Sequence, residues 1–381
     1  MKPAVTANDT YFNDSIFEAI EFAKQVPSKR LADTLEEISA ALQTYIHFSN
    51  PSTAMLVACW IAMTYCFEGF YYSGYIAIRS DRPGSGKTRL LDLIGSFSKG
   101  NPSVVTNPTA AVLYRDVQKV FLIDEVDRLR AQDRQTHGAV LGILNAGFQR
   151  KGEVPRTEKD ANGNFSVKHY SVYGPKAFAG LEKLEDSLAD RCFHIVMAKA
   201  STRLPRISMR WYEETAQRIR KDLEQWFKEN VKVVSLAYST LPTELAILRR
   251  YDDRFQDISE PLIVIAASAD AEYGTGPRIL SLLMEAFRAT TGQRQPSTAI
   301  QLAAAIGPIL REELGDKEEV FIPSARLLKK VQEAGLESID SPQDLAPVLA
   351  QLGLPTSRSN GKERGYDVSR DMIEKMGTVS V

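Results

Sequence analysis

Cysteine is scarce, long apolar runs are missing, and neither sign of charge dominates. The three cysteines, Cys59, Cys66 and Cys192, have neither metal-ligand spacing nor the even count of a disulfide framework. That excludes a disulfide-stapled secreted scaffold and points to a reducing cytoplasm. The longest uncharged apolar run, Ala54 to Met63, is about half of what a membrane-spanning helix needs. The opening MKPAVTANDTYFNDS lacks the apolar stretch of a signal peptide, so a soluble cytoplasmic chain with no membrane association is expected. Lys plus Arg (47) nearly cancels Asp plus Glu (48), so no global field attracts polyanions. Any nucleic-acid contact must come from a local basic patch. Internal repeats and low-complexity stretches are also missing. What remains is an ordinary globular composition, 44% hydrophobic and 25% charged over 381 residues, sufficient for two or three compact units.

Along the chain, Leu31, Leu35, Ile38, Leu42 and Tyr45 recur at helical spacing within Phe17 to Tyr45. Asn50-Pro51-Ser52 then opens a segment to Phe67 that is apolar on nearly all sides, as a helix buried in a core should be. From Tyr75 the pattern becomes strand (YIAIRS, 75–80), glycine loop, helix (KTRLLDLIGSF). A Pro/Asn-rich loop (Asn101 to Pro108), a helix (Thr109 to Val117), the strand KVFLID (119–124) and a helix (Thr136 to Gln149) follow. EVPRTEK and FSVKHYSVY flank Asp160-Ala161-Asn162-Gly163 and read as a hairpin. PKAFAGL (175–181) and CFHIVM (192–197) read as two buried strands. Alternating strands and helices predict a parallel sheet covered on both faces. Beyond about residue 200 the chain turns helical: Tyr212 to Glu229, Asp257 to Ala271 and Ile279 to Thr290, with a joint at Tyr273 to Pro277. From about Phe321 the order is helix (Ser324 to Ala334), helix (Pro342 to Leu352), basic loop, terminal helix.

Two motifs carry chemistry. DRPGSGKT (81–88) matches the end of the Walker A pattern, with Asp81 where its first glycine usually stands. Gly84 and Gly86 let backbone N–H groups curl around a phosphate, and the next helix offers its positive end. Pro83, Gly84, Ser85, Gly86, Lys87, Thr88 and Arg89 are therefore candidate ATP-binding residues. Lys87 would neutralise β/γ-phosphate charge, and the Thr88 hydroxyl would hold Mg²⁺. The bland alternative is a chance glycine-rich turn. VFLIDEVD (120–127) supplies the second motif: a strand ending in Asp124, suited to Mg²⁺, followed by Glu125, suited to polarising water as a general base. Alone it could be two solvated acids at a strand end. With the glycine loop upstream, it reads as a nucleotide-hydrolysing centre.

The stretch from about Leu35 to Met376 resembles a AAA+ P-loop ATPase family of unassigned function, found in phage, plasmid and genomic-island primase–helicase-like proteins. The resemblance rests on NPSTAMLVACWIA, GSGKTRLLDLI, VFLIDEVD, ILNAGFQRKG, YGPKAFAGL and SLADR in that order, then ID(S)PQDLAPVLAQLGL and GKERGYDV. It implies an α/β fold: a AAA+ parallel-sheet P-loop core, a helical lid and a C-terminal winged-helix-like module. The corresponding divisions are an N-terminal helical segment (1–50), the ATPase core (51–200), the lid (201–315) and the module (316–381). It also implies that Arg191 of SLADR reaches a neighbouring subunit's nucleotide, which requires a homo-oligomer, a ring such as a hexamer. Pairing of Arg191 with Asp186 or Asp190 is the alternative. PKAFAGL lacks the polar residue that usually reports on γ-phosphate; Gly180 stands about there, and Glu182 or Lys183 are substitutes. Arg254 is a weak candidate for a lid arginine touching γ-phosphate.

The hairpin carries Arg150, Lys151, Arg156, Lys159, Lys168 and His169; similar hairpins in AAA+ helicases project into a ring's pore, where such cations grip single-stranded DNA. Glu153, Glu158 and Asp160 leave a solvated surface hairpin equally open. Arg358, Lys362 and Arg364 around Asn360-Gly361, with Tyr366 behind, form a basic wing. Pro342 to Leu352 would be the recognition-type helix of the module, but PQDLAPVLAQLGL is acidic to apolar, which makes contact with a partner protein a rival role. Two readings stand: a DNA-associated helicase-like motor of a mobile element or related DNA transaction, and a non-motor switch (initiator, loader or defence-system regulator). Both use ATP and Mg²⁺. A small-molecule kinase fits SLADR and the long helical lid less well.

Overall fold

The computed structural model describes residues 29–80, 84–116, 120–129, 133–159, 164–181, 184–241, 245–273, 276–292, 298–315, 317–334, 341–351, 354–359 and 363–373. The chain forms two compact units, Met1–Arg294 and Gln295–Val381.

The first unit is built on five parallel strands: β1 (Tyr75–Arg79), β2 (Val104–Thr106), β3 (Phe121–Asp124), β6 (Lys176–Gly180) and β7 (Cys192–Val196), in the order β2-β3-β6-β1-β7. The central strands are mostly apolar because helices cover both faces, with Lys176 at the start of β6 and Arg79 at the end of β1 as the charged exceptions. All of β6 is buried, and so is β1 except its last residue. β2 lies within the segment that the sequence reading assigns to a Pro/Asn-rich loop. It is a three-residue edge strand, too short for a periodic signal, and it gains its pairing only by meeting β3 at Val104–Leu122 and Val105–Ile123.

Helix α1 (Leu31–Tyr45) presents Leu31, Leu35, Ile38 and Leu42 to the core. Helix α2 (Thr53–Met63) follows an Asn50 turn whose Oδ1 accepts from Ser52 N at 2.9 Å, and all of its 11 residues are buried. Trp60 Nε1 donates to Gly74 O at 2.7 Å, tying α2 to the start of β1. Helix α3 (Lys87–Phe97) lays Leu90, Leu91, Ile94 and Phe97 against the sheet. Helices α4 (Ala110–Arg115), α5 (Arg134–Ala146) and α6 (Asp186–Ala189) fill the connections. The three cysteines are free and buried, so they act as core residues.

Three long helices complete the unit. Helix α7 (Met209–Ser239) runs a further ten residues past the sequence expectation, because Val234, Ala237 and Tyr238 continue its buried stripe. Helix α8 (Asp253–Ala271) begins where the Asp252 carboxylate accepts from Phe255 N at 2.8 Å. The Asp270 carboxylate then accepts the N–H groups of Arg278, Ile279 and Leu280 at 3.0, 2.7 and 2.9 Å, fixing the start of helix α9 (Arg278–Gly292). Phe255 and Phe287 meet Phe193 of β7 at ring separations of 5.7 Å, so these helices share the sheet's core. Strands β4 (Glu153–Lys159) and β5 (Phe165–Ser171) form the expected antiparallel hairpin; its turn, Asp160 to Gly163, lies outside the described residues.

The second unit holds α10 (Thr298–Leu314), β8 (Glu319–Pro323), α11 (Ser324–Glu333), α12 (Pro342–Gln351), β9 (Ser357–Ser359) and β10 (Glu363–Ser369). Its sheet runs β8-β10-β9, antiparallel throughout. The unit begins upstream of residue 316, because Ile306, Ile309, Leu310 and Leu314 of α10 share a core with Ile322, Leu327, Leu345 and Tyr366. Tyr366, on β10, is fully buried there. Among the described residues, no helix is long and apolar enough to cross a membrane.

Candidate nucleotide site

Two carboxyl-terminal strand edges build the site. The chain leaves β1 at Arg79 and enters α3 at Lys87; β3 ends at Asp124, separated from β1 by β6 alone. In an open parallel sheet, the crevice outside such strand ends is where ligands bind. Asp81, which stands at the first Walker A glycine position, and Pro83 lie outside the described residues. The described part of the loop has the backbone the motif requires: Gly84 at φ 75° and Gly86 at φ 95°, both in the left-handed region. A Cβ at Gly84 would meet nothing within 4 Å, so the loop faces open space.

Around it the side chains converge. Thr88 Oγ1 donates to Asp124 Oδ2 at 2.7 Å, although the two stand 36 residues apart. Lys87 Nζ donates to Ser80 Oγ at 2.7 Å. Burial pulls the Lys87 ammonium down from its ordinary value, and the carboxylates of Asp124 and Asp127 oppose this. Ser85 Oγ is buried and finds no hydrogen-bond partner among the described residues. A buried orphan hydroxyl beside a glycine loop is what a ligand oxygen would satisfy.

Glu125 sits at φ 53°, a left-handed conformation that costs a side-chain-bearing residue roughly 1–2 kcal/mol. Its N–H donates to Asp124 Oδ1 at 2.8 Å, and its carboxylate lies 3.2 Å from Arg128 Nε. The sharp turn at Glu125 starts a short 3₁₀ helix, Val126–Leu129, that brings Asp127 back over the end of β6. There Asp127 Oδ2 accepts from Leu181 N at 2.7 Å. A Cβ on Gly180 would stand 2.6 Å from Asp127 Oδ1, so this position tolerates only glycine while Asp127 stays in place. Glu182 and Lys183 lie outside the described residues. Asp127 is the acidic residue at this strand end that sequence reasoning passed over; its place at the end of VFLIDEVD, three residues after Asp124, was the available signal.

A cleft of about 760 Å³ continues from the loop. One wall is Gly84 to Arg89, a second is Tyr45, Ile46 and His47 after α1, and a third is Lys199 to Leu204 with Arg206 after β7. Arg89 NH1 donates to Tyr45 O at 3.4 Å, joining two of the walls. The second and third walls carry no motif and become visible only in the fold. Cations at Lys199, Arg203 and Arg206 give the cleft an anion-attracting rim.

Thr88 and Asp124 offer hard oxygen donors of the kind Mg²⁺ takes. No group of three or more His, Cys, Asp or Glu that could hold a metal occurs among the described residues.

Arg191 lies elsewhere. It precedes β7, and its carbonyl accepts from Tyr75 N at 2.9 Å at the start of β1, the edge opposite the glycine loop. A five-residue strand spans about 16 Å, so Arg191 cannot reach its own chain's loop. Its Nε donates to Asn145 O at 3.1 Å, and its NH1 donates to Ser187 O. Arg254, the candidate lid arginine, lies over Phe148, beside Arg191, and so at the end of the sheet away from its own chain's glycine loop.

The basic residues of the hairpin divide between its two faces. Lys159–Phe165, Thr157–Val167 and Pro155–His169 are directly opposite pairs on one face; Arg156–Lys168 and Val154–Tyr170 lie on the other. Arg156 stacks on Tyr114 and Lys168 on Tyr170, so their face is turned to α4. The outward face carries Phe165 at 71% and Val167 at 62% exposure, with Lys159 over the Phe165 ring. Arg150 and Lys151 are exposed before β4. Arg358 and Arg364 are exposed and directly paired across β9 and β10, while Lys362, Asn360 and Gly361 lie outside the described residues.

No family model matches the chain, and no curated protein sequence matches it. Among solved structures it is similar to one titled "SCCmec type IV Cch - active helicase", at 11% identity and TM-score 0.41, covering 96% of this chain and 71% of that one. It is also similar to "The A form apo structure of NrS-1 C terminal region-CTR(305-718)", at 14% identity and TM-score 0.36, covering 92% and 78%. Likenesses this distant assign no function.

Proposed function

We propose that this chain is a Mg²⁺-dependent ATPase of the AAA+ type that works as a homo-oligomer on DNA. The observation that carries the reading is the Thr88 Oγ1–Asp124 Oδ2 contact of 2.7 Å beside a glycine loop with two left-handed glycines. A bound Mg²⁺ would supply charge neutralisation for the phosphates. Gly84 to Gly86 direct N–H groups at the triphosphate, Lys87 balances its charge, and Thr88 and Asp124 would hold the cation. Glu125 accepts a proton from water once its carboxylate leaves Arg128, and Asp127 orients polar groups at the end of β6. The cleft walls formed by Tyr45–His47 and Lys199–Arg206 receive the base and sugar.

Arg191 acts on a neighbouring subunit's nucleotide, since its own is out of reach. The C-terminal unit is read as a winged-helix-like module. DNA association draws on two features. The exposed hairpin face offers Phe165 for base stacking beside Lys159, and the Arg358–Arg364 pair places like charges opposite one another, an arrangement that costs stability without an anion. A helicase-like motor of a mobile element is the reading preferred.

One observation favours the non-motor switch: the described exposed positions of α12, Pro342, Gln343, Pro347 and Ala350, carry no cation, as suits a partner protein better than phosphate. Nucleotide turnover with single-stranded DNA, RNA or neither distinguishes the two. Several-fold stimulation by single-stranded DNA that weakens with salt supports the motor; a flat response supports the switch.

A further inference from the structure

Arg191 is not alone at its edge of the sheet. Its guanidinium carbon lies 4.7 Å from the Phe148 ring centroid, and that of Arg254 lies 4.6 Å from the same centroid. Two cations share one aromatic ring, at the sheet end opposite the glycine loop. Phe148 is itself held in place. Its carbonyl accepts from Ser73 N at 2.8 Å, its ring stacks on Tyr72 at 5.8 Å, and it is 1% exposed.

No carboxylate is among the hydrogen-bond partners of Arg191, and Arg254 forms one ion pair. The hydrogen bonds of Arg191 go to backbone carbonyls, which carry no formal charge. Arg254 meets Asp257 at 3.4 Å, one turn along its own helix, with both side chains about one-third exposed. Burial, with Arg254 next, pulls the Arg191 guanidinium below its ordinary value, the direction expected where like charges are crowded. Each guanidinium is attracted by the ring face, but the two cations repel one another, and an anion before them relieves that repulsion. A guanidinium needs planar, bidentate acceptors, and a phosphoryl group supplies them.

We infer that Arg254 is a second trans-acting arginine, presented with Arg191 on the Phe148 ring to the triphosphate bound by a neighbouring copy of this chain. The inference rests on the ATPase reading above and adds a residue from α8 to that site. Arg191 comes from the sheet and Arg254 from the helical region, so a neighbour's phosphates are contacted by both parts of one subunit. Hydrolysis on one subunit is thereby linked to the placement of α8 on the next.

Complementation tests this directly. Full-length Arg254→Ala should bind ATP as the wild type does but lose turnover on the order of a hundredfold. Lys87→Ala supplies intact arginines but no working nucleotide site. Mixing the two chains should restore turnover above either alone, because each intact site then faces intact arginines. Arg254→Gln, which keeps the stem over Phe148, should behave like the alanine variant. Recovery in the mixture supports the inference. Full activity of Arg254→Ala alone, or loss of ATP binding by Arg254→Gln, overturns it. If Arg191→Ala with Lys87→Ala recovers while the Arg254 mixture does not, the second arginine is ruled out and the first stands. Silence of both mixtures overturns this inference and the trans reading of Arg191 together.

Discussion

Thr88 on α3 and Asp124 at the end of β3 are joined by one 2.7 Å hydrogen bond across the end of β6. The parallel register accounts for it: Ile123 lies beside Phe178, and Arg79 beside Gly180, so both strands deliver their last residues to one level. Because the bond links the two halves of the site, Thr88→Ala should leave weak nucleotide binding through Lys87 and the loop. It should also remove the Mg²⁺ dependence of that binding. Titrating a fluorescent ATP analogue with and without Mg²⁺ checks this; an unchanged Mg²⁺ response would contradict it.

Gly180 permits Asp127 to approach. Gly180→Ala places a methyl 2.6 Å from Asp127 Oδ1 and 2.9 Å from Val126 Cγ1, so the carboxylate must shift. The expected outcome is a fall in kcat of about tenfold or more with KM for ATP little changed, since Asp127 contributes to turnover rather than to the phosphate cradle. A rise in KM alone would assign Gly180 to binding.

Both motif halves were legible because each is local. DRPGSGKT and VFLIDEVD are contiguous runs whose chemistry depends on neighbours in sequence, and the flanking apolar periods identify strand and helix. What was not legible depends on tertiary closure. Tyr45 to His47 and Lys199 to Arg206 carry no pattern, and become walls of one cleft only when α1 and the segment after β7 meet at the loop. The hairpin's basic residues were visible, but which of them face outward is decided by Tyr114 on another element. Arg254 was visible as a candidate lid arginine, but its place beside Arg191 is decided by Phe148 on another element.

Glu260 on α8 gives the fold a pH signature. Burial, with Asp257 next, pushes its carboxyl up to about 7 from 4.5, against a hydrogen bond from Tyr238. Between these values the folded chain keeps a proton that the unfolded chain releases. Stability therefore falls as pH rises through that window and levels off above it. Glu260→Gln should flatten the decline, a difference of about 1–3 kcal/mol in urea unfolding between pH 5 and pH 8. Identical pH slopes in both proteins would remove Glu260 as the cause.

Contacts to DNA should separate by chemistry. Arg358→Ala and Arg364→Ala should each reduce the slope of log affinity against log salt by roughly 0.7–0.9, one phosphate apiece. Phe165→Ala should leave the slope unchanged while costing about 1–3 kcal/mol in affinity for single strands, as expected of a stacking ring. Fluorescence anisotropy across a salt series reads both. A changed slope for Phe165→Ala, or none for the arginines, would reverse these assignments.

The central claim is that the loop from Gly84 to Thr88 holds a triphosphate and that Glu125 activates water beside it. Phosphate release and bound-nucleotide analysis on wild type, Lys87→Ala and Glu125→Gln test it most directly. The account predicts turnover only in the wild type, no retained nucleotide on Lys87→Ala, and intact ATP retained on Glu125→Gln. Equal turnover in all three proteins would contradict it.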